Sequence, residues 1–284
     1  MRFITYRDGS GTGIGLRDGE NYRGLSCASV GGFLKDFIGS AEDLHGLAEK
    51  LREAPVLDRS AIILLPPIQK PPKILCIGLN YADHSAESGF EVPEYPTVFA
   101  RFANSLVGAD EPIIRPSASN MLDYECELVI VIGKGGRHIA EDAALDHVAG
   151  YSIFNDGSIR DFQIRTPQWT MGKVFDRTGA FGPELVTPEE LPAGCEGLQI
   201  RTILNGEVLQ DANTADLIFP VAKLVSILSE AMTLEPGDLI VSGTPGGVGG
   251  LRDPQIWMKP GDECTIEIEQ IGSLTSTIAQ EGES

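Results

Sequence analysis

The chain has 284 residues, 42% hydrophobic and 22% charged, with a formal net charge of −19. That length buries a sizeable core in one large or two small domains, and the composition excludes a disordered, collagenous or disulfide-dense chain. So negative a field repels phosphate backbones and anionic lipid, so no nucleic-acid and no membrane partner is expected.

Residues 1 to about 65 read as short strands broken by Asp8-Gly9 and Asp18-Gly19 turns, followed by a helix, SAEDLHGLAEKL, with Ser40 as its N-cap. The run PPIQKPP, Pro66 to Pro72, holds four prolines and reads as an extended connector. A small N-terminal α+β domain over 1–70 and a catalytic domain over 71–284 are therefore expected. Beyond the connector, strands are predicted at KILCIGLN, LDYECELVIVIGKGG, HVAGYSIFND, LQIRTILNG, EVLQDAN, DLIVSG and ECTIEIEQ, with Asn205-Gly206 as a hairpin turn. PVAKLVSILSEAM carries apolar residues at i, i+3, i+4 and i+7, which predicts a helix opening at Pro220. Many strands and few helices predict an α+β, β-rich fold, a roll or barrel of mixed sheets. The five cysteines form no C-x-x-C pair, no apolar run approaches about 18 residues, and the first residues lack a signal-peptide core; a reduced, cytoplasmic chain is expected.

Glu125 and Glu127 stand at i and i+2 of one strand, about 6.6 Å apart on a shared face, and Asp156 ends another apolar run. Three oxygen donors suit a hard divalent ion, Mg²⁺, Mn²⁺ or Ca²⁺; the same spacing also suits a solvated sheet face and a helix cap. His84 and Glu87 at i and i+3 adjoin if their segment is helical, which makes His84 a candidate general base beside the alternative of a solvated histidine. Lys173 is a candidate anion contact or a surface lysine. The run SGTPGGVGG, Ser242 to Gly250, offers backbone N–H groups for a carboxylate but is neither a P-loop nor a dinucleotide fingerprint, and no G-x-S-x-G elbow occurs.

Together GLNYADHSAE (78–87), DYECEL (123–128), NDGSIRDFQ (155–163), MGKVFDRTGAFGP (171–183) and SGTPGGVG (242–249) resemble, in order and spacing, the fumarylacetoacetate hydrolase family over about residues 72–280. The resemblance implies a mixed-sheet β-roll, a homodimer and a divalent cation, Mg²⁺ or Mn²⁺ with Ca²⁺ as a further option, held by Glu125, Glu127 and Asp156. It implies a water-activating dyad of His84 and Glu87 on a mobile lid, with Lys173 stabilising the oxyanion. Gln163, Thr244, Asn80 and Arg160 fall at substrate-binding positions. The expected activity is hydrolysis of a C–C bond in an anionic acylpyruvate-type keto acid such as fumarylpyruvate or fumarylacetoacetate, in aromatic catabolism. The alternatives are a 2-oxo acid isomerase, of the 2-hydroxyhepta-2,4-diene-1,7-dioate type, an oxaloacetate decarboxylase, or a silent metal-binding protein that would lack the dyad.

Overall fold

Turn residues and β-branched runs dictate most of the elements. A computed structural model of the chain describes every residue except Ser88, Phe90 and Ser284. Strands β1 (Arg2–Asp8), β2 (Gly11–Asp18) and β3 (Asn21–Ser26) form an antiparallel meander through two-residue turns at 9–10 and 19–20. The short helix α1 (Cys27–Val30) leads to α2 (Ala41–Arg52), which Ser40 caps by accepting the Asp43 N–H. The buried residues of α2, Leu44, Leu47, Ala48 and Leu51, follow the helical period, and β4 (Ile63–Leu65) then pairs with β1.

After the proline-rich connector come β5 (Ile74–Gly78), α3 (Ala82–Glu87), β6 (Thr97–Arg101), β7 (Leu106–Val107), β8 (Ile113–Arg115), β9 (Leu122–Asp123), β10 (Cys126–Ile132) and β11 (Val148–Asp156). They are followed by β12 (Ser158–Ile159), α4 (Arg160–Gln163), β13 (Gly179–Val186), β14 (Gln199–Leu204), β15 (Glu207–Asn213), α5 (Val221–Ala231), β16 (Leu239–Val241), β17 (Glu263–Ile268) and β18 (Gly272–Gln280). The β14–β15 hairpin turns at Asn205 and Gly206, both at positive φ, as an Asn-Gly turn requires.

The fold is a sheet-rich α+β architecture. One mixed sheet runs β3-β2-β1-β13-β11-β10-β16-β5-β6, with β4 added at β1 and β7 at β13; a second runs β15-β14-β17-β18-β8. Strand β10 is buried along its whole length. Its Cys126, Leu128, Ile130 and Ile132 enter one core with α5 and the second sheet, while Val129 and Val131 enter another with α2. The face that carries Glu127 is thus continued by core residues, not by solvent. The change of chain character at the proline connector is no break in hydrogen bonding: β1 pairs with β13, Phe3 opposite Leu185, and Phe3, Ile14 and Leu16 share a core with Ile74, Cys76 and Val129. Prolines remove local donors but leave the edge of β13 open to a strand from the first 70 residues. Among the described residues no helix is long and apolar enough to cross a membrane.

Candidate active site

The β10–β11 register builds the floor of the site. Cys126 opposes Asn155, Asp156 N–H donates to the Glu125 carbonyl at 2.9 Å, and so the last residue of β11 lies beside the residue that precedes β10. One carboxylate oxygen from each of Glu125, Glu127 and Asp156 lies within 4.8 Å of the others, and all three residues are buried. The solvated-face alternative for this pair is thereby removed: the carboxylates point into a cluster, not into water.

Two buried cations, Lys173 and Arg101, and the half-buried Arg160 offset the negative charge of the cluster. Lys173 Nζ donates to Glu125 Oε2 at 2.6 Å and to Asp156 Oδ2 at 2.7 Å, and stands 5.2 Å from the centre of the Phe99 ring. Arg160, opening α4, pairs through Nε with Asp123 at 2.8 Å and through Nη1 with Glu125 Oε1 at 2.7 Å. Arg101, ending β6, pairs with Asp156 Oδ1. Burial opposes ionisation of Glu125, but Lys173 and Arg160 outweigh it and hold its carboxyl down to about 2. Glu127 has the opposite fate: burial first, then the negative charge of Asp156 and Glu125, pushes its carboxyl well above the usual carboxylate range. Burial works against charge on Lys173 too, yet Asp156 and Glu125 lift its ammonium above the ordinary value.

His84 Nδ1 lies 2.9 Å from Glu87 Oε1 on α3, as the i, i+3 spacing predicts. Burial opposes ionisation of Glu87, and the hydrogen bonds from His84 and from the Gly247 N–H overcome it, leaving this carboxyl below its usual value. The glycine-rich run contributes differently from expectation. Its N–H groups hold carboxylates of the chain itself: Gly243 binds Glu127, Gly246 binds Asp83, Gly247 binds Glu87, and Gly249 and Gly250 bind the two oxygens of Asp123. At Gly249 a Cβ would meet the Ile256 carbonyl at 2.0 Å, so only glycine lets the loop close on Asp123.

A cavity of about 520 Å³ opens over this floor, its wall including His84, Glu125, Glu127, Arg160, Gln163, Lys173 and Thr244. Phe99, Trp169 and Trp257 form much of the remaining wall; Gly78 is what seats the Trp169 indole, since a Cβ there would stand 2.2 Å from the ring. Gln163 accepts from Arg160 Nη1 at 2.8 Å, and Thr244 Oγ1 accepts from Gln210 at 2.9 Å. Asn80 lies apart from the wall. Its amide is committed to backbone, donating to the Phe219 and Ser242 carbonyls and accepting the Phe219 N–H, so it ties the loop before α3 to the loop that grips Glu127. Arg101, Asp123 and Gln210 join the site from outside the candidates that the sequence motifs single out. Asp123 sits within the DYECEL motif, but nothing in the spacing of Arg101 or Gln210 marks them.

The donor set fits a hard divalent ion. Three buried carboxylates converge without a histidine or thiolate among the donors, which is an all-oxygen set of the kind hard cations take.

Residues 73–279 match the family model described as fumarylacetoacetate (FAA) hydrolase, C-terminal. The chain is 39% identical over 272 residues to a Xenopus laevis protein named oxaloacetate tautomerase fahd2, mitochondrial, covering 94% of this chain and 85% of that one. It superposes on the fumarylacetoacetate hydrolase of Exiguobacterium antarcticum with a TM-score of 0.86 at 32% identity, covering 99% of this chain and all of the other. A maleylpyruvate hydrolase from Sphingobium sp. SYK-6, solved with manganese(II) and pyruvate, aligns with a TM-score of 0.82 at 26% identity over 99% of both chains. With five motifs in register and a matching fold, the chain belongs to the fumarylacetoacetate hydrolase family, a family of enzymes.

Proposed function

We propose that this protein is a divalent-metal-dependent enzyme of 2-oxo acid chemistry whose first reaction is keto–enol interconversion of oxaloacetate or a close relative. The observation that carries the reading is the juxtaposition in one cavity of the carboxylate cluster with Lys173 and, on the same wall, the His84 imidazole held by Glu87. Glu125, Glu127 and Asp156 would hold Mg²⁺ or Mn²⁺, which when bound supplies positive charge for a carboxylate and its adjacent 2-oxygen. Lys173 donates to the oxygen on which enolate charge develops, and Arg160 and Gln163 orient the carboxylate end. His84, its Nδ1 side fixed by Glu87, uses Nε2 to give a proton to, or take one from, the substrate carbon next to the ketone while the enol oxygen loses or gains one. Thr244, fixed by Gln210, offers its hydroxyl to the substrate.

The similarity to a named oxaloacetate tautomerase over 94% of the chain supports placing this reaction ahead of C–C hydrolysis. Hydrolysis of an acylpyruvate, as in aromatic catabolism, is the second reading, favoured by the same dyad, because His84 can instead take a proton from water attacking the distal carbonyl. The two separate in one panel. Acceleration of oxaloacetate enol-to-keto conversion with fumarylpyruvate and acetylpyruvate left intact supports the first; cleavage of those diketo acids without any effect on oxaloacetate interconversion overturns it in favour of the second. The proposal extends to a homodimer, checked by light scattering, and to a cytoplasmic location, checked by fractionation against the mitochondrial name of the frog relative.

A further inference from the structure

Asp156 is gripped from two sides. Lys173 occupies Oδ2, and Arg101 occupies Oδ1. Arg101 has little room to leave: Nε donates to Ser105 Oγ at 3.2 Å, Nη1 also to the Gly157 carbonyl at 3.2 Å, and Nη2 to Thr178 Oγ1 at 2.9 Å. The guanidinium stands 5.5 Å from the centre of the Phe154 ring, and a Cβ at Gly179 would lie 2.8 Å from Nη2, so the glycine of β13 is part of its seat. Burying this pair completely costs desolvation that a surface pair avoids, so its stability contribution alone is a weak reason for its presence.

We infer that Arg101 is a positioning residue that reserves one oxygen of Asp156 and so tunes the carboxylate cluster to small, six-coordinate divalent ions. The inference rests on the metal reading above. Asp156 Oδ1 is committed to Arg101, Glu125 Oε1 to Arg160, and Glu127 Oε2 to the Gly243 N–H, while the second oxygens of Asp156 and Glu125 share one ammonium, Lys173 Nζ. An ion entering the cluster would meet the oxygens that Lys173 bridges through their second lone pairs, and not the oxygens that the arginines hold. Mg²⁺ and Mn²⁺ are satisfied by one oxygen per carboxylate in an octahedron, whereas Ca²⁺ takes six to eight oxygens and gains from bidentate carboxylates. Of the two guanidinium groups that reserve an oxygen, Arg160 lines the cavity and Arg101 is absent from its wall, so Arg101 can be changed without altering the substrate's surface.

The test is calorimetric titration of the whole protein with MnCl₂ and with CaCl₂, in the absence of substrate. Wild type should prefer Mn²⁺ by about tenfold or more, Arg101→Lys should keep the ratio within about threefold, and Arg101→Met should shrink it about tenfold by freeing Oδ1 for a bidentate contact. Thr178→Val, which loosens Nη2 while keeping the charge, should shrink the ratio by about threefold and decides the matter if the methionine variant does not fold. Loss of charge alone moves both affinities together, and general loosening weakens both, so the ratio is the readout. Equal Mn²⁺ and Ca²⁺ affinities in wild type, or an unchanged ratio in the folded variants, overturn the role of Arg101 and leave the metal reading intact. Failure of wild type to bind either ion overturns the metal reading itself, and the inference with it.

Discussion

The floor of the cavity and its rim are built by different means. The floor carboxylates sit on or beside β10 and β11, central strands buried on both faces, and every one of them is tied to a buried cation or a backbone N–H. The His84–Glu87 pair sits on the six-residue helix α3, whose carboxylates are held by backbone amides of the glycine-rich loop, Gly246 and Gly247 among them. A cation site needs fixed distances and is placed where strand pairing sets them; a proton-transfer pair must admit and release substrate and is placed on an element with few anchors. Binding should therefore fail when the floor is altered, and turnover should fail when the rim is.

The largest effect expected is on the floor: chelation should abolish activity and Mg²⁺ or Mn²⁺ should restore it, while full turnover by metal-free protein would break the comparison at its base. On the rim, His84→Ala should lower kcat by about 10²–10⁴-fold and leave calorimetric Mn²⁺ affinity nearly unchanged. A matching loss of metal affinity would mean that the two regions are one unit. Lys173→Met probes the floor's own stability. It leaves Glu125 and Asp156 short of a buried partner, so urea unfolding in chelator should show a loss of about 3–5 kcal/mol. Divalent ion should recover more stability in this variant than in wild type, because the ion can compensate the same two carboxylates. Asn80→Ala should cost about 2–3 kcal/mol by leaving the Phe219 and Ser242 backbone groups unpaired. It should also weaken metal binding, since the adjoining Gly243 N–H grips Glu127; wild-type Mn²⁺ affinity in this variant would confine Asn80 to stability.

How much of this was legible in the sequence follows the same division. The period of two put Glu125 and Glu127 on one face, Ser40 and the helical period of 41–52 announced α2, and the i, i+3 pair His84–Glu87 formed as its spacing implied. These are local rules. The meeting of Asp156 with Glu125 depends on the β10–β11 register across 30 residues, and only the resemblance between motifs supplied it. Arg101 was invisible because its partners, Ser105, Asp156 with Gly157, and Thr178, come from three places that meet only once β6, β11 and β13 are in place. The glycine run misled for a related reason: its N–H donors were correctly read as carboxylate holders, but their acceptors are Asp83, Glu87, Asp123 and Glu127, which lie more than 110 residues away in sequence.

The smallest expected effect concerns one of the tethers of the rim, Glu87. Glu87 is held below the ordinary glutamate value of 4.5 in the folded protein, against burial, by His84 and the Gly247 N–H. An acid whose folded pKa is depressed binds fewer protons folded than unfolded, so its contribution is complete above about 4.5 and is lost as pH falls through the lower folded value. Glu87 is partly exposed, and solvent screening keeps that contribution to about 0.5–1 kcal/mol. The stability difference between wild type and Glu87→Gln, measured by urea unfolding, should accordingly be constant from pH 7 down to about pH 5 and shrink below it. A difference that persists unchanged to pH 3 would show that the glutamate acts through packing and not through its charge. α3 would then be anchored much as the floor is, and the division between a fixed binding surface and a loosely tethered proton-transfer pair would not hold.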